Sequence, residues 1–196
     1  MQNNSRKANF EINPLFLNRW SPRAFTGENI PDSVLMSAFE AARWAPSGGN
    51  SQPWRFIYCK KDSASWSTFC EFLFEGNRQW AKNASALIVL LAKKDFVFNG
   101  QPTQSSSYSF DAGAAWQSFA LQAIELGWHT HAMAGFDKQK TREHFKISEN
   151  FSVEIMIAIG KPGEKSVLPE PLQAREFASD RAPLNTLISE GTFSNK

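Results

Sequence analysis

Cysteine is scarce in this 196-residue chain: Cys59 and Cys70 are the whole supply. Two such thiols provide neither a disulfide framework nor the ligand spacing of a structural zinc, so reduced thiols in a cytoplasm are expected. An excess of one charge is lacking too. Lys and Arg number 21 against 19 Asp and Glu, a net of +2, too little to draw the chain to nucleic acid or membrane. No apolar run approaches the ~18 residues of a membrane span, and MQNNSRKANFEINP has no apolar core of a signal peptide. The expectation is a soluble, cytoplasmic protein. Phosphate-cradling loops are missing: there is no G-x-G-x-x-G after a strand and no G-x-x-x-x-G-K-[ST], so neither a Rossmann dinucleotide site nor a P-loop is encoded. The absence of G-x-S-x-G weakens a hydrolase reading, and no pair of carboxylates stands out for acid–base work. His129 and His131 could share one face of a strand, but no third ligand stands at a suitable spacing, so they read as ordinary strand histidines with no metal. If the chain is an enzyme, its reactive group comes from a bound cofactor.

What is present is apolar and aromatic: 42% hydrophobic residues, with 17 Phe and 7 Trp, enough for one core and a single domain over residues 1–196. The chain reads as alternating helices and strands. NPLFLNRW (13–20) starts a short helix with Asn13 as cap and Pro14 in its first turn, ended by Pro22. PDSVLMSAFEAARWA (31–45) places Leu35, Ala38, Phe39 and Ala42 on one face of a helix. WRFIYC (54–59) is expected to be a buried strand, and SASWSTFCEFLF (63–74) a helix. ASALIVLLA (84–92) is a continuous apolar run, as in a central strand covered on both faces. DAGAAWQSFALQAIELG (111–127) is the longest helix, closed by Gly127. WHTHAMA is a short strand, a helix follows near 137–146, and VEIMIAIG (153–160) is a second central strand.

After Gly160 the pattern changes. Pro162, Pro169, Pro171 and Pro183 interrupt a stretch with little apolar periodicity, although Leu168, Leu172, Phe177 and Leu184 recur in it. So long a structureless stretch is uncommon inside a compact domain. The expectation is an arm, about 161–196, lying on another chain rather than a disordered tail.

Four segments look built for a ligand. NRWSPRAF (18–25) brackets a hydroxyl and a helix-stopping proline with Arg19 and Arg23, and has no acidic residue before Glu28. That arrangement suits an anion better than a solvated turn. APSGGNSQPW (45–54) combines a helix end, two glycines, Asn50 and Gln52. GNRQW (76–80) supplies Asn77, and SDRAPL (179–184) supplies Arg181. Singly, each has a structural explanation: a solvated helix end, a plain turn, a cap, a surface ion pair.

Together they resemble the nitroreductase family of FMN-dependent oxidoreductases. The carrying residues are Arg19-x-Ser21-x-Arg23-x-Phe25, then Pro46-Ser47-x-x-Asn50-x-Gln52-Pro53-Trp54. Asn77 with Trp80 precedes the apolar strand, Ala134-Gly135-Phe136-Asp137 follows the long helix, and Arg181 lies in the tail. The resemblance runs in order from about residue 14 to 185. It implies an α+β, three-layer α-β-α fold with a mixed, mostly antiparallel sheet. It also implies an intertwined homodimer with an exchanged C-terminal arm and FMN sites at the interface.

By that resemblance, Arg19 and Arg181 hold the FMN phosphate with Ser21, and Trp20 lies beside them. Arg23 stands at the N1–O2 edge of the flavin, where a cation favours the reduced form. Asn77 meets the pyrimidine side, and backbone at Met133, Ala134 and Gly135 lies near N5. Pro46, Ser47, Gly48, Asn50 and Gln52 complete the cofactor set, with Pro46, Ser47 and Gly48 from the partner subunit. The implied activity passes hydride from NAD(P)H through FMN to a flat, electron-poor acceptor such as a nitroaromatic or quinone, in a ping-pong cycle without a catalytic side chain. A flavin-fragmenting or reductive-dehalogenating enzyme of the same fold is an alternative, as is a non-enzymatic flavin-binding module. Members often carry a basic residue where Trp80 stands and another at Ser179, so this site is expected to be less positive. Phe96, Phe98 and Tyr108 could wall a substrate pocket or belong to the core.

Overall fold

The computed structural model describes residues 6–193. Helix α1 (Pro14–Asn18) and helix α2 (Asp32–Arg43) lead into strand β1 (Trp54–Lys60). Helices α3 (Trp66–Phe72) and α4 (Glu75–Ala81) precede β2 (Ala86–Lys93), and a hairpin follows, β3 (Asp95–Phe98) with β4 (Gln101–Gln104). Helix α5 (Tyr108–Glu125), β5 (His129–Met133), α6 (Lys138–His144) and β6 (Phe151–Gly160) complete the body, and α7 (Glu170–Gln173) is a single turn beyond it.

The two apolar runs form the middle of a four-stranded sheet ordered β1-β2-β6-β5. Alternate side chains of a strand point to opposite faces, and β2 supplies two cores in this way. Leu87, Val89 and Leu91 join Phe69, Phe72, Trp80 and Met156 on one side. Ala86, Ile88, Leu90 and Ala92 join Leu35, Ala38, Phe119 and Ile157 on the other. Helices α3 and α4 thus cover one face, α2 and α5 the other, which is the three-layer arrangement. On β6 a bulge lies where Leu90 pairs with Ile155 and Leu91 with Val153. The extra residue, Glu154, restores Val153 to the face opposite Ile155.

Local chemistry explains the element ends. The Asn13 side chain accepts from the Leu15 N–H at 2.8 Å, and Asp137 caps α6 by accepting from Lys140 N–H at 2.8 Å. Gly127 takes φ +78° just past α5, a left-handed conformation that costs glycine nothing.

Four expectations need correction. Every strand pair in the described chain is antiparallel, so the sheet is not mixed within one chain. Strand β1 is an edge strand and only Trp54 and Cys59 in it are buried, because nothing among the described residues pairs with its outer side. Helix α4 and the β3–β4 hairpin, too short for a clear period, are absent from the sequence reading. The stretch after Gly160 is not wholly an arm on another chain. Pro162 bridges Phe25, Leu168 enters the α3–α4 core and Glu176 is buried against residues 23 and 24. Between these anchors much of the segment is exposed, and past Glu176 the side chains of Phe177, Leu184, Leu187, Ile188 and Phe193 are open to solvent. Residues 194–196 of the expected arm lie outside the described residues.

Candidate active site

The NRWSPRAF loop is positioned from three sides. The Thr26 N–H donates to Lys161 O at 3.0 Å and the Gly163 N–H to Ala24 O at 2.8 Å, tying the loop to the end of β6. His131, on β5, makes a 3.0 Å hydrogen bond from Nδ1 to the Pro22 carbonyl. Glu176 Oε1 accepts the N–H groups of Arg23 at 2.7 Å and Ala24 at 2.8 Å. Phe25 anchors the loop in the core, 2% exposed, with its ring 6.2 Å from Trp80.

So held, the loop forms one wall of a cleft of about 320 Å³ lined by Arg19, Trp20, Ser21, Arg23, His131 and Arg181, and also by Arg6, Arg175, Phe177 and Ser179. Five guanidinium groups meet there. The only hydrogen bond that the Arg19 side chain makes among the described residues is a long one to Ser21 Oγ, 3.4 Å. Its pKa is lowered by burial first, then by Arg181 and Arg6. Arg6 is lowered by burial and by Arg181. Arg6 donates to the carbonyls of Ser179, Leu17 and Arg19 at 2.7, 3.0 and 2.8 Å, stapling the tail to the loop. Like charges packed this closely repel one another, and a multiply charged anion among them would offset that repulsion. Arg6 and Arg175 contribute cations to this cleft that no local motif announced.

A second group lies next to the cleft. Trp80 on α4 stacks 4.6 Å from His131, and one turn earlier Asn77 Nδ2 donates to Gly135 O at 3.0 Å. A Cβ on Gly135 would come within 2.7 Å of Asn77 Nδ2, so this approach needs glycine. The N–H groups of Ala134 and Gly135 have no acceptor among the described residues. From His131 to Ala134 the chain advances about 10 Å, which sets the distance between the cationic cleft and these donors. Met133 is different: its side chain is 3% exposed and belongs to the core, which leaves only its backbone for a ligand.

The third group stands apart. Pro46, Ser47, Gly48, Asn50 and Gln52 do not line the arginine cleft of their own chain. Their loop is set by Asp111 at the start of α5, whose Oδ2 accepts the Gly48 N–H at 3.2 Å, and by Ser47 Oγ, which accepts the Gln52 N–H at 3.0 Å. Asn50 and Gln52 hold φ of +52° and +46°, a left-handed strain that the surrounding bonds sustain. The hairpin covers this loop, since a Cβ on Gly49 would reach Phe96 at 3.0 Å and Phe98 at 3.6 Å. Phe96 and Phe98 are therefore not core residues, whereas Tyr108 packs on the α2–α5 core.

The comparisons bear on these groups together. The sequence model of the nitroreductase family matches residues 17–76 and 71–161. This chain belongs to the nitroreductase family. A solved structure described as an oxidoreductase containing FMN is 46% identical and superposes at a TM-score of 0.95 over 100% of both chains. An FMN-dependent nitroreductase from Clostridium difficile is 26% identical, with a TM-score of 0.63 over 75% of this chain and 85% of that one. An NADH dehydrogenase from Thermus thermophilus is 25% identical, covering 88% of this chain and 92% of its own.

Among the described residues no group of three or more His, Cys, Asp or Glu could hold a metal, and no helix is long and apolar enough to cross a membrane. The two strand histidines carry a different signature. Burial, with Arg19 nearby, pushes His129 down to about 4; burial first, with Arg23 and Arg19 also lowering it, pushes His131 down to about 4. Both are neutral in the native protein at pH 7. Below pH ~6.5 the unfolded chain takes up protons that the native chain refuses, so the stability they allow is intact above 6.5 and lost as pH falls towards 4. Urea unfolding at pH 7 and pH 5 should show this loss, roughly 2 kcal/mol per pH unit around pH 5 from the two together. Replacing His131 with Phe should make the dependence shallower; an unchanged slope would refute the assignment.

Proposed function

We propose that the chain is an FMN-dependent NAD(P)H oxidoreductase acting on flat, electron-poor acceptors such as nitroaromatics and quinones. The observation that carries this reading is the meeting of Arg19, Ser21, Arg23 and Arg181 in one cleft across more than 150 residues of sequence. The relatives' own FMN and NAD(P)H-linked names support it. When bound, FMN would supply the redox chemistry that links NAD(P)H to the acceptor in a ping-pong cycle.

The chain's residues bind, orient and tune. Arg19 and Arg181 fork onto the phosphate with Ser21 donating, and their mutual repulsion becomes attraction to a common dianion. Trp20 walls that end. Arg23 offers a positive charge to the N1–O2 edge. Asn77 addresses the pyrimidine side, while the unpaired N–H groups at Ala134 and Gly135 are donors for the N5 side. Pro46, Ser47 and Gly48 reach the cofactor of the partner subunit in a homodimer, and Asn50 and Gln52 of the same loop complete the cofactor set. Their separation from the arginine cleft of their own chain supports this, as do the exposed Trp44, Phe110, Phe177, Leu187 and Ile188, apolar surface of the kind obligate interfaces cover. Reduced Cys59 and Cys70 suit a cytoplasmic setting.

Purified protein should be yellow, and NADH or NADPH should bleach its visible flavin band without destroying the flavin. Re-oxidation by a quinone should restore the band. Sedimentation of the same sample should report twice the chain mass. A protein that binds FMN yet is bleached by neither nicotinamide would overturn the enzymatic reading in favour of a flavin-carrying module. Irreversible loss of the flavin would favour the fragmenting branch.

A further inference from the structure

Glu176 has a carboxylate in an unusual position. Its side chain is only 1% exposed, yet it lies in an otherwise solvent-facing segment after α7. Oε1 is fully used, accepting both the Arg23 and Ala24 N–H groups. Oε2 is buried with no hydrogen-bond partner among the described residues and faces Arg23 Nη1 at 3.8 Å. Anchoring the loop requires only one neutral oxygen, which a glutamine amide would supply. What the glutamate adds is negative charge, directed at one guanidinium. Burial lowers the Arg23 pKa, Glu176 raises it and Arg175 lowers it again, while Arg6, Arg19 and Arg181 line the same cleft.

We propose that Glu176 is a positioning and charge-setting residue. It fixes the backbone of Arg23 through Oε1 and, through Oε2, partly neutralises the charge that Arg23 presents to a bound flavin. This rests on the reading above, that FMN binds with its N1–O2 edge at Arg23. Reduction of a flavin adds negative charge at that edge, so a cation there binds the reduced form better than the oxidised one. A counter-anion buried behind the cation reduces this preference. The C-terminal segment thereby sets the flavin potential from a distance, without touching the cofactor.

The test measures midpoint potential, FMN affinity and urea stability on holoprotein with Glu176→Gln, Glu176→Ala or Arg23→Ala. Glu176→Gln should keep the loop anchor and most of the stability while raising the potential. A tenfold gain in the preference for reduced over oxidised FMN corresponds to about 30 mV upward. Glu176→Ala should lose stability and FMN affinity together, because the anchor is gone. Arg23→Ala should lower the potential. If Arg23→Ala lowers it and Glu176→Gln leaves it unchanged or lower, Glu176 is a structural latch alone and the proposal fails. If Arg23→Ala leaves the potential unmoved, the placement of the flavin edge fails and takes the proposal with it. Should Glu176→Gln not yield folded holoprotein, Glu176→Asp draws the charge back by one methylene and should raise the potential by less; no rise there overturns the proposal.

Discussion

Alanine at Arg19 or at Arg181 is expected to weaken FMN binding by about 1.5–3 kcal/mol each, roughly ten- to a hundredfold, through loss of a charge-assisted donor to the phosphate. The two substitutions should not add, since both groups address one ligand atom cluster. A second effect goes the other way in the apoprotein. The Arg19 charge is disfavoured by burial first and then by Arg181 and Arg6, so removing one cation relieves repulsion, and the empty mutant should be no less stable than its parent. Riboflavin isolates the phosphate contribution. It should bind the parent weakly, and either substitution should hardly change its affinity. Titrating both flavins into apo forms of the parent, the two single mutants and the double mutant checks all of this. Equal losses for riboflavin and FMN would mean that the arginines support the fold and do not hold a phosphate.

Replacing Phe25 with Ala is expected to cost about 3–5 kcal/mol of stability, as for other buried aromatics. For a chain of this size that corresponds to a fall in Tm on the order of 10 °C. The ring fills a slot whose back is glycine: a Cβ on Gly160 would lie 2.7 Å from Phe25 Cδ1, and one on Gly163 would lie 3.1 Å from the Phe25 carbonyl carbon. On that side no side chain is placed to collapse into the space, which leaves Trp80 as the ring next to it. The same ring anchors residues 18–25, so FMN affinity should fall as well, although Phe25 does not line the arginine cleft. Phe25→Leu should recover part of both losses. A Tm for Phe25→Ala within about 2 °C of the parent would show that the loop is held by its hydrogen bonds alone.

The helices with a long amphipathic face and the strands buried on both sides were legible in the sequence, because each carries its own period. Leu35, Ala38 and Ala42 mark α2, the continuous run Ala86–Ala92 marks a covered central strand, and Gly127 marks the end of α5. Short elements carry no such signal, which is why α4 and the β3–β4 hairpin could be seen only in three dimensions. Burial of β1 was misjudged because composition does not distinguish an edge strand from an interior one; pairing does. In the site, Arg19, Ser21 and Arg23 were legible because their spacing is chemical information within eight residues. Arg6, Arg175, His131 and Glu176 were not, since nothing local distinguishes a surface arginine or a tail glutamate from one folded against a loop 150 residues away. The sequence by itself pointed to an anion site near residue 20, since Arg19, Ser21 and Arg23 fall within five residues. Only the tertiary structure decided how many cations would surround it and that a buried carboxylate would stand behind Arg23, because charge density is a property of distances in space.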